Sequence, residues 1–258
     1  MLECLSQAYR HRALVQVLIL RELKARYRGT ALGFLWSFVN PLILMMIYVL
    51  VFSVYLRVDV PHYPVFLLCG ILPWAWFSSA LNESTHSIIS NAGLIKKVYL
   101  PSEIFPLVYV GSHAVHYLLS VPILFFFMAF FGIPLSWWLL TFPIIVFIQF
   151  MFTYGLALFA SSLAVQFRDL LHIVPNILMI AFFLTPILYP ASTVPATYLP
   201  LLELNPLAQL VMSYQDILFY GRMPSPGGLT MLAALACVLL VLGLAFFGAR
   251  KDVFAEEV

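Results

Sequence analysis

Charged residues divide this chain into apolar runs long enough to cross a bilayer. Nothing is charged between Arg28 and Arg57, nor between Asp59 and Glu83, and about 20 apolar residues suffice for one helical span. No Asp, Glu, Lys or Arg occurs from Ile104 to Phe167. That run is too long for one helix, and Gly132, Pro134 and Ser136, followed by Trp137 and Trp138, divide it into two spans with an aromatic pair at the turn. A fifth span begins after Asp169 and closes near Pro186 to Pro190, and a sixth runs from about Leu229 to Gly248. The pattern predicts an all-α integral membrane protein of six transmembrane helices, forming one domain. Residues 1–28 make a cytoplasmic N-terminus, 29–248 the six-span region and 249–258 a cytoplasmic tail.

Two segments fall outside the count. Ala13 to Leu20 is apolar all round and gives way to a basic stretch in which Glu22 and Arg26 are spaced i,i+4, favourable for a helix. It reads as an interface helix on the inner leaflet or, more simply, as a positive anchor. Between the fifth and sixth spans, Leu204 to Ile217 is apolar but too short to cross. It suits a re-entrant helix buried among the others or an amphipathic helix lying flat outside.

Composition agrees. The 258 residues are 63% hydrophobic and 9% charged, with a mean hydropathy of +1.01, so lipid must cover surface that a soluble domain would bury. Net charge is only +2, which gives no reason to expect a nucleic-acid partner. Cys4, Cys69 and Cys237 are too scattered for a zinc site or a disulfide framework. No cleavable signal peptide is expected, because no small-residue cleavage site follows the basic N-terminus. Placing both termini in the cytoplasm puts eleven Lys and Arg inside and only Arg57 and Arg222 outside, as the positive-inside rule requires.

Candidate chemistry is sparse. Glu83 and His86 sit at i,i+3 near the inner end of the second span, and His113 and His116 repeat the spacing on the third. The spans are antiparallel neighbours, so interhelical hydrogen bonding is the expectation; a metal-dependent membrane enzyme built on these four residues is the alternative of another class. No metal site is expected, since nothing else completes a ligand set. No charge lies at the middle of any span, where secondary transporters bind coupling ions, and no G-x-x-x-x-G-K-[ST] phosphate loop exists. Active transport would therefore need another subunit to supply energy. Aromatics form 16% of the chain. Trp36, Tyr48, Phe52, Tyr55, Tyr63, Trp74, Trp76 and Phe77 crowd the first two spans, where they either pack against sugar rings or serve as belts and helix packing. The loop from Asn91 to Glu103 is short and charged, and its Pro101 sets the start of the next helix; it is either a docking element or a plain connection.

The order of these features carries a resemblance. Leu20-Arg21-Glu22-Leu23-Lys24-Ala25-Arg26-Tyr27-Arg28 and Leu32-Gly33-Phe34-Leu35-Trp36 lead to Asn40-Pro41. Leu94-Ile95-Lys96-Lys97-Val98-Tyr99-Leu100-Pro101, Phe167-Arg168-Asp169, Pro186-Ile187-Leu188-Tyr189 and Asn205-Pro206-Leu207 follow. Across nearly its whole length the chain resembles the permease subunit of type-2 ATP-binding-cassette exporters, in the branch that moves O-antigen, capsular polysaccharide or teichoic acid across the bacterial inner membrane. The resemblance implies two permease copies paired with two copies of a separate ATPase. The chain itself would carry no cofactor, ATP and magnesium being held by that partner. Tyr9 to Arg28 would be the interface helix touching the ATPase, through Arg21, Glu22, Lys24, Arg26 and Arg28. Asn91 to Glu103 would form the cytoplasmic gate and coupling element, with Lys96, Lys97, Tyr99, Pro101 and Glu103, and Arg168 and Asp169 would face the ATPase from the second cytoplasmic loop. Leu204 to Ile217 would shape the outer mouth. A lipid-linked glycan would thread between the two copies past some of the aromatics; a drug or small lipid is the alternative cargo.

Overall fold

The computed structural model describes residues 11–97, 101–251 and 254. Cys4, Tyr9 and Tyr99 lie outside them. Among the described residues every regular element is helical. Helix α1 (Arg12–Tyr27) contains neither glycine nor proline and stops before Gly29, whose φ of +80° starts the turn into the first apolar helix. That helix, α2 (Trp36–Tyr48), continues through a π-helical turn, Val49–Tyr55, to make a largely apolar segment of 20 residues. The others are α3 (Tyr63–Ser90), α4 (Ala92–Lys97), α5 (Ile104–Phe130), α6 (Phe142–Gln166), α7 (Leu170–Leu184), α8 (Leu199–Leu204), α9 (Pro206–Leu218) and α10 (Pro226–Gly248).

Five helical segments are long and apolar enough to span a membrane: Trp36–Tyr55, α3, α5, Trp137–Gln166 and α10. The sixth expected span, α7, is shorter. Its 15 residues rise about 22 Å at the usual helical pitch, against about 30 Å of hydrocarbon. Pro186 explains the stop, because the residue before a proline is driven out of the helical region and Thr185 is extended at ψ 137°. The non-helical stretch after it is buried from Thr185 to Leu188, and side chains satisfy two of its carbonyls. Gln215 Nε2 donates to Pro186 O at 2.8 Å, and the Tyr63 hydroxyl donates to Leu188 O at 2.6 Å. Irregular backbone at membrane depth requires such cover.

Helix α3 is the hub, mostly buried and packed against α5, α6, α9 and α7. Helices α6 and α10 approach closely, and glycines permit it. A Cβ on Gly155 would fall 2.7 Å from the carbonyl carbon of Leu239, and one on Gly243 would fall 2.7 Å from Gly155 O. Between lipid-facing helices, such small-residue contacts supply the van der Waals packing that stands in for the hydrophobic effect.

Helix α1 packs on α5 through Leu18, which joins Ile104 and Val108, with Leu14, Val15 and Ile19 beside them. Gly111 lets it approach, since a Cβ there would meet Ile19 Cδ1 at 2.9 Å. Val17 and Leu20 remain exposed on its other faces.

Helix α9 is not an exposed surface helix. It begins at the Asn205-Pro206 pair, where Asn205 Oδ1 accepts from Leu207 N at 3.0 Å and proline takes the first helical position. Nearly every residue from Ala208 to Leu218 is buried against α3, α6 and α10. A buried polar chain ties it in: Tyr214 donates to Gln149 Oε1 on α6 at 2.8 Å, and Gln149 Nε2 donates to Pro73 O on α3 at 2.8 Å.

Candidate functional site

Ion pairs between described side chains form at two places, at opposite ends of the bundle. At the end that carries α1, one basic side chain turns inward. Arg26 Nη2 lies 2.8 Å from each oxygen of Glu83 on α3 and 3.0 Å from Nε2 of His113 on α5. His113 Nε2 is also 2.9 Å from Glu83 Oε2. As one tautomer His113 donates to Glu83; as the other it accepts from Arg26. The three groups join three separate helices at a single point.

This differs from the sequence expectation in one respect. Glu22 and Arg26 do not pair along α1: Glu22 takes the guanidinium of its neighbour Arg21 at 3.0 Å, and Arg26 goes to Glu83. The reason is competition, since a carboxylate and an imidazole in a partly desolvated junction hold a guanidinium better than one exposed carboxylate does. Both members of the Arg26–Glu83 pair remain about a third exposed, at 31% and 38%, so screening limits the ion pair alone to about 1 kcal/mol. His113 is 3% exposed, and the junction's larger effect is to register α1 against the bundle.

Glu83 and His113 thus come together as expected. His116 lies with Arg26 and His113 on the wall of a cavity of about 180 Å³, which Trp36, Trp76 and Tyr117 also line. His86, one turn beyond Glu83, makes no side-chain hydrogen bond among the described residues. Arg26 Nη2 contacts both Glu83 and His113, two of the four residues that a metal-dependent membrane enzyme would have used.

The remaining expected coupling residues split between exposed and buried positions. Arg21, Lys24 and Arg28 line an open groove of about 910 Å³ along α1, together with apolar Val17, Leu20 and Leu23. Lys96 is exposed on α4, and Lys97 ends that helix. Arg168 and Asp169 are exposed in the tight turn between α6 and α7, closed by Leu171 N donating to Arg168 O at 3.1 Å and His172 N to Asp169 O at 2.9 Å. Pro101 O accepts from Ile104 N at 3.1 Å and opens α5. Glu103, by contrast, is 2% exposed. Neither of its carboxylate oxygens has a hydrogen-bond partner among the described residues.

The eight aromatics also divide. Tyr63, Trp74, Trp76 and Phe77 are buried in the core. Trp76 stacks on Tyr117 at 5.2 Å, Trp74 packs against Phe77 and Phe182, and Phe77 meets Phe152. Trp36, Tyr48, Phe52 and Tyr55 lie on the peripheral α2 segment, where Tyr55 is largely exposed and Tyr48 touches Phe182 of α7 at 6.1 Å.

At the opposite end, a cavity of about 870 Å³ opens between α8, α9 and the start of α10. Its ion pair joins Arg222 Nε to Asp216 Oδ1 at 2.7 Å, and Arg222 also lies 4.7 Å over the Tyr220 ring. Sequence reading missed this cavity and the Arg26–Glu83 pairing, because each joins residues that only the fold brings together. The one signal for the latter was a carboxylate near a span end with no cation at i±3 or i±4.

Comparison with known proteins places these features. The ABC-2 type transporter family matches residues 13–219. The chain is 39% identical to the O-antigen export system permease protein RfbA of Myxococcus xanthus over the full length of both. It is 36% identical to RfbA of Klebsiella pneumoniae, with 94% of each chain covered. With the polysialic acid transport protein KpsM of Escherichia coli the identity is 27%, over 92% of this chain and 93% of that one. An all-helical fold with five long apolar segments, a basic helix pinned to its bundle and a family match over most of its length lead to one conclusion: the chain belongs to the ABC-2 type transporter family, as a membrane-embedded permease.

Proposed function

We propose that this permease exports a lipid-linked polysaccharide of the O-antigen or capsule kind across the bacterial inner membrane, as a pair of copies driven by a separate ATPase subunit. The observation that carries the substrate class is the end-to-end likeness to O-antigen permeases at 36–39% identity. ATP and magnesium belong to the partner.

Both termini lie in the cytoplasm on this reading, so α1, α4 and the α6–α7 turn face the ATPase. The groove along α1, basic at Arg21, Lys24 and Arg28 and apolar at Val17 and Leu20, suits inner-leaflet lipid on one side and the ATPase on the other. Motion enters through α1 and α4 and reaches α3 and α5 through the Arg26–Glu83–His113 junction. Helix α7 with its non-helical Thr185–Leu188 continuation makes the fifth crossing, and α8 with α9 forms the re-entrant element. The glycan path runs along the exposed α2 segment, with Trp36, Tyr48, Phe52 and Tyr55 as its aromatic candidates; the buried Tyr63, Trp74, Trp76 and Phe77 support it from behind.

Deleting the chain should abolish surface polysaccharide while lipid-linked precursor accumulates inside, as immunoblotting of surface and cytoplasmic pools would read. Surface polysaccharide at wild-type level in the deletion would dismiss the proposal. Within the same assay, Lys96→Glu with Lys97→Glu, or Glu22→Ala, should lower export several-fold while membrane insertion is unchanged. Full export in all of these variants would remove the coupling role from α1 and α4.

A further inference from the structure

We propose that the cavity enclosed by α8, α9 and the start of α10 is an oligosaccharide-binding site that takes hydroxyl groups of the polysaccharide on the outer side of the membrane. The inference rests on the export reading and extends it to a place and a chemistry. Its volume, about 870 Å³, falls within the usual range for small-ligand sites and is ample for two or three sugar rings.

The lining is what a neutral polyol needs. Gln209, Gln215 and Asp216 are each more than nine-tenths buried, an expensive arrangement for polar groups unless they meet partners. Their recorded bonds point one way. Gln209 Nε2 donates to Glu203 O at 2.9 Å, and Gln215 Nε2 donates to Pro186 O at 2.8 Å. Each amide is thereby oriented by its nitrogen, and its oxygen is left as an acceptor. Asp216 gives one oxygen to Arg222 and keeps the other, and Glu203 adds a carboxylate to the wall. The site is rich in acceptors, and sugar hydroxyls are donors. Tyr220 supplies a ring of the kind that packs on a sugar face, and burial raises its phenol above the ordinary range, keeping the hydroxyl neutral. Two carboxylates against one guanidinium disfavour a phosphate or another anion.

Gly228 shows how tightly the acceptor wall is built. A Cβ at that position would overlap Gln209 Oε1, so only glycine leaves the amide where it stands. Gly228 is helical with an ordinary φ, and a side chain there would displace the Gln209 amide without changing charge or backbone.

The test uses full-length permease in lipid nanodiscs. The probe is the host strain's own surface polysaccharide, released from lipid by mild acid and sized to one to four repeats. Saturation-transfer NMR should give saturable binding to the wild type, weakened at least tenfold by Gly228→Val and by Gln209→Leu. Binding should be unchanged by Lys96→Glu at the other end of the molecule. Gel filtration identifies a variant that fails to fold, and the near-isosteric Gln209→Leu stands if Gly228→Val does not. Absence of saturable wild-type binding, or equal binding by wild type and folded cavity variants, overturns the proposal. Loss of surface polysaccharide on deleting the chain, combined with either of those results, would reject this site alone; persistence of surface polysaccharide would reject the export reading beneath it.

Discussion

Replacing Arg26 by alanine is expected to cut export at least tenfold while the protein still inserts and keeps most of its stability. The guanidinium ties α1 to α3 and α5, with Nη2 at 2.8 Å from both Glu83 oxygens and 3.0 Å from His113 Nε2. Its loss leaves a carboxylate facing a buried imidazole. Stranding a partly buried charge costs roughly 1–3 kcal/mol, and the lower end applies because Glu83 is 38% exposed. The larger consequence is mechanical, since α1 could then move without carrying α3 and α5. Arg26→Lys keeps the charge, but a single nitrogen, Nη2, makes all three contacts and the lysine stem is one bond shorter, so it should recover only part of the export. A double-mutant cycle with Glu83→Gln provides the check. If the junction acts as a unit, the double variant exports no less than Arg26→Ala alone. Strictly additive losses, or normal export by Arg26→Ala, would remove the junction from the mechanism.

The second large effect is on folding. Gly243→Leu places a branched side chain where a Cβ alone would sit 2.7 Å from Gly155 O and 3.3 Å from Leu158 Cβ. The obstacle is backbone, which cannot rotate aside, so α6 and α10 must separate. Overpacking usually costs about 1–3 kcal/mol, and forced separation of two helices in backbone contact should exceed that. Thermal unfolding in detergent, followed by tryptophan fluorescence, should show a midpoint lower by several degrees or a failure to accumulate. Gly248→Leu is the control on the same helix, because nothing lies within 4 Å of its Cβ position. Equal midpoints for the two variants would refute the close-packing account.

Much of the architecture was legible in the charge spacing. The gaps from Arg28 to Arg57 and from Asp59 to Glu83, and the Gly132–Ser136 break, each mark an apolar helix or its end. Helix α3 runs through Glu83 and His86 to Ser90, up to the loop expected from Asn91. One boundary moved for a local reason. Helix α7 stops at Leu184 because Pro186 ends it. The short segment at 204–217 was legible as a non-crossing helix, either re-entrant or flat outside; the structure buries it, a choice that depends on what surrounds it rather than on its own residues.

The sites were less legible. Glu83 and His113 could be paired from the antiparallel order of two neighbouring spans. Arg26 could not, because its partner lies 57 positions away, and its local neighbour Glu22 offered a competing pair. The aromatics fared in the same way. Composition marks eight rings on two spans, but it takes the position of α3 at the hub to set Trp74, Trp76 and Phe77 inside and to leave Tyr55 on the periphery. Gln209, Gln215 and Asp216 look like ordinary polar residues on an apolar helix until α8 and α10 enclose them.

The central claim is that this chain forms a passage without an engine, and reconstitution tests it most directly. The purified permease is placed in vesicles preloaded with lipid-linked polysaccharide in the leaflet facing α1, with and without its ATPase subunit. The account predicts transfer to the far leaflet only when the ATPase and hydrolysable ATP are both present, and none under an imposed proton or sodium gradient. Gradient-driven transfer by the permease alone would contradict it.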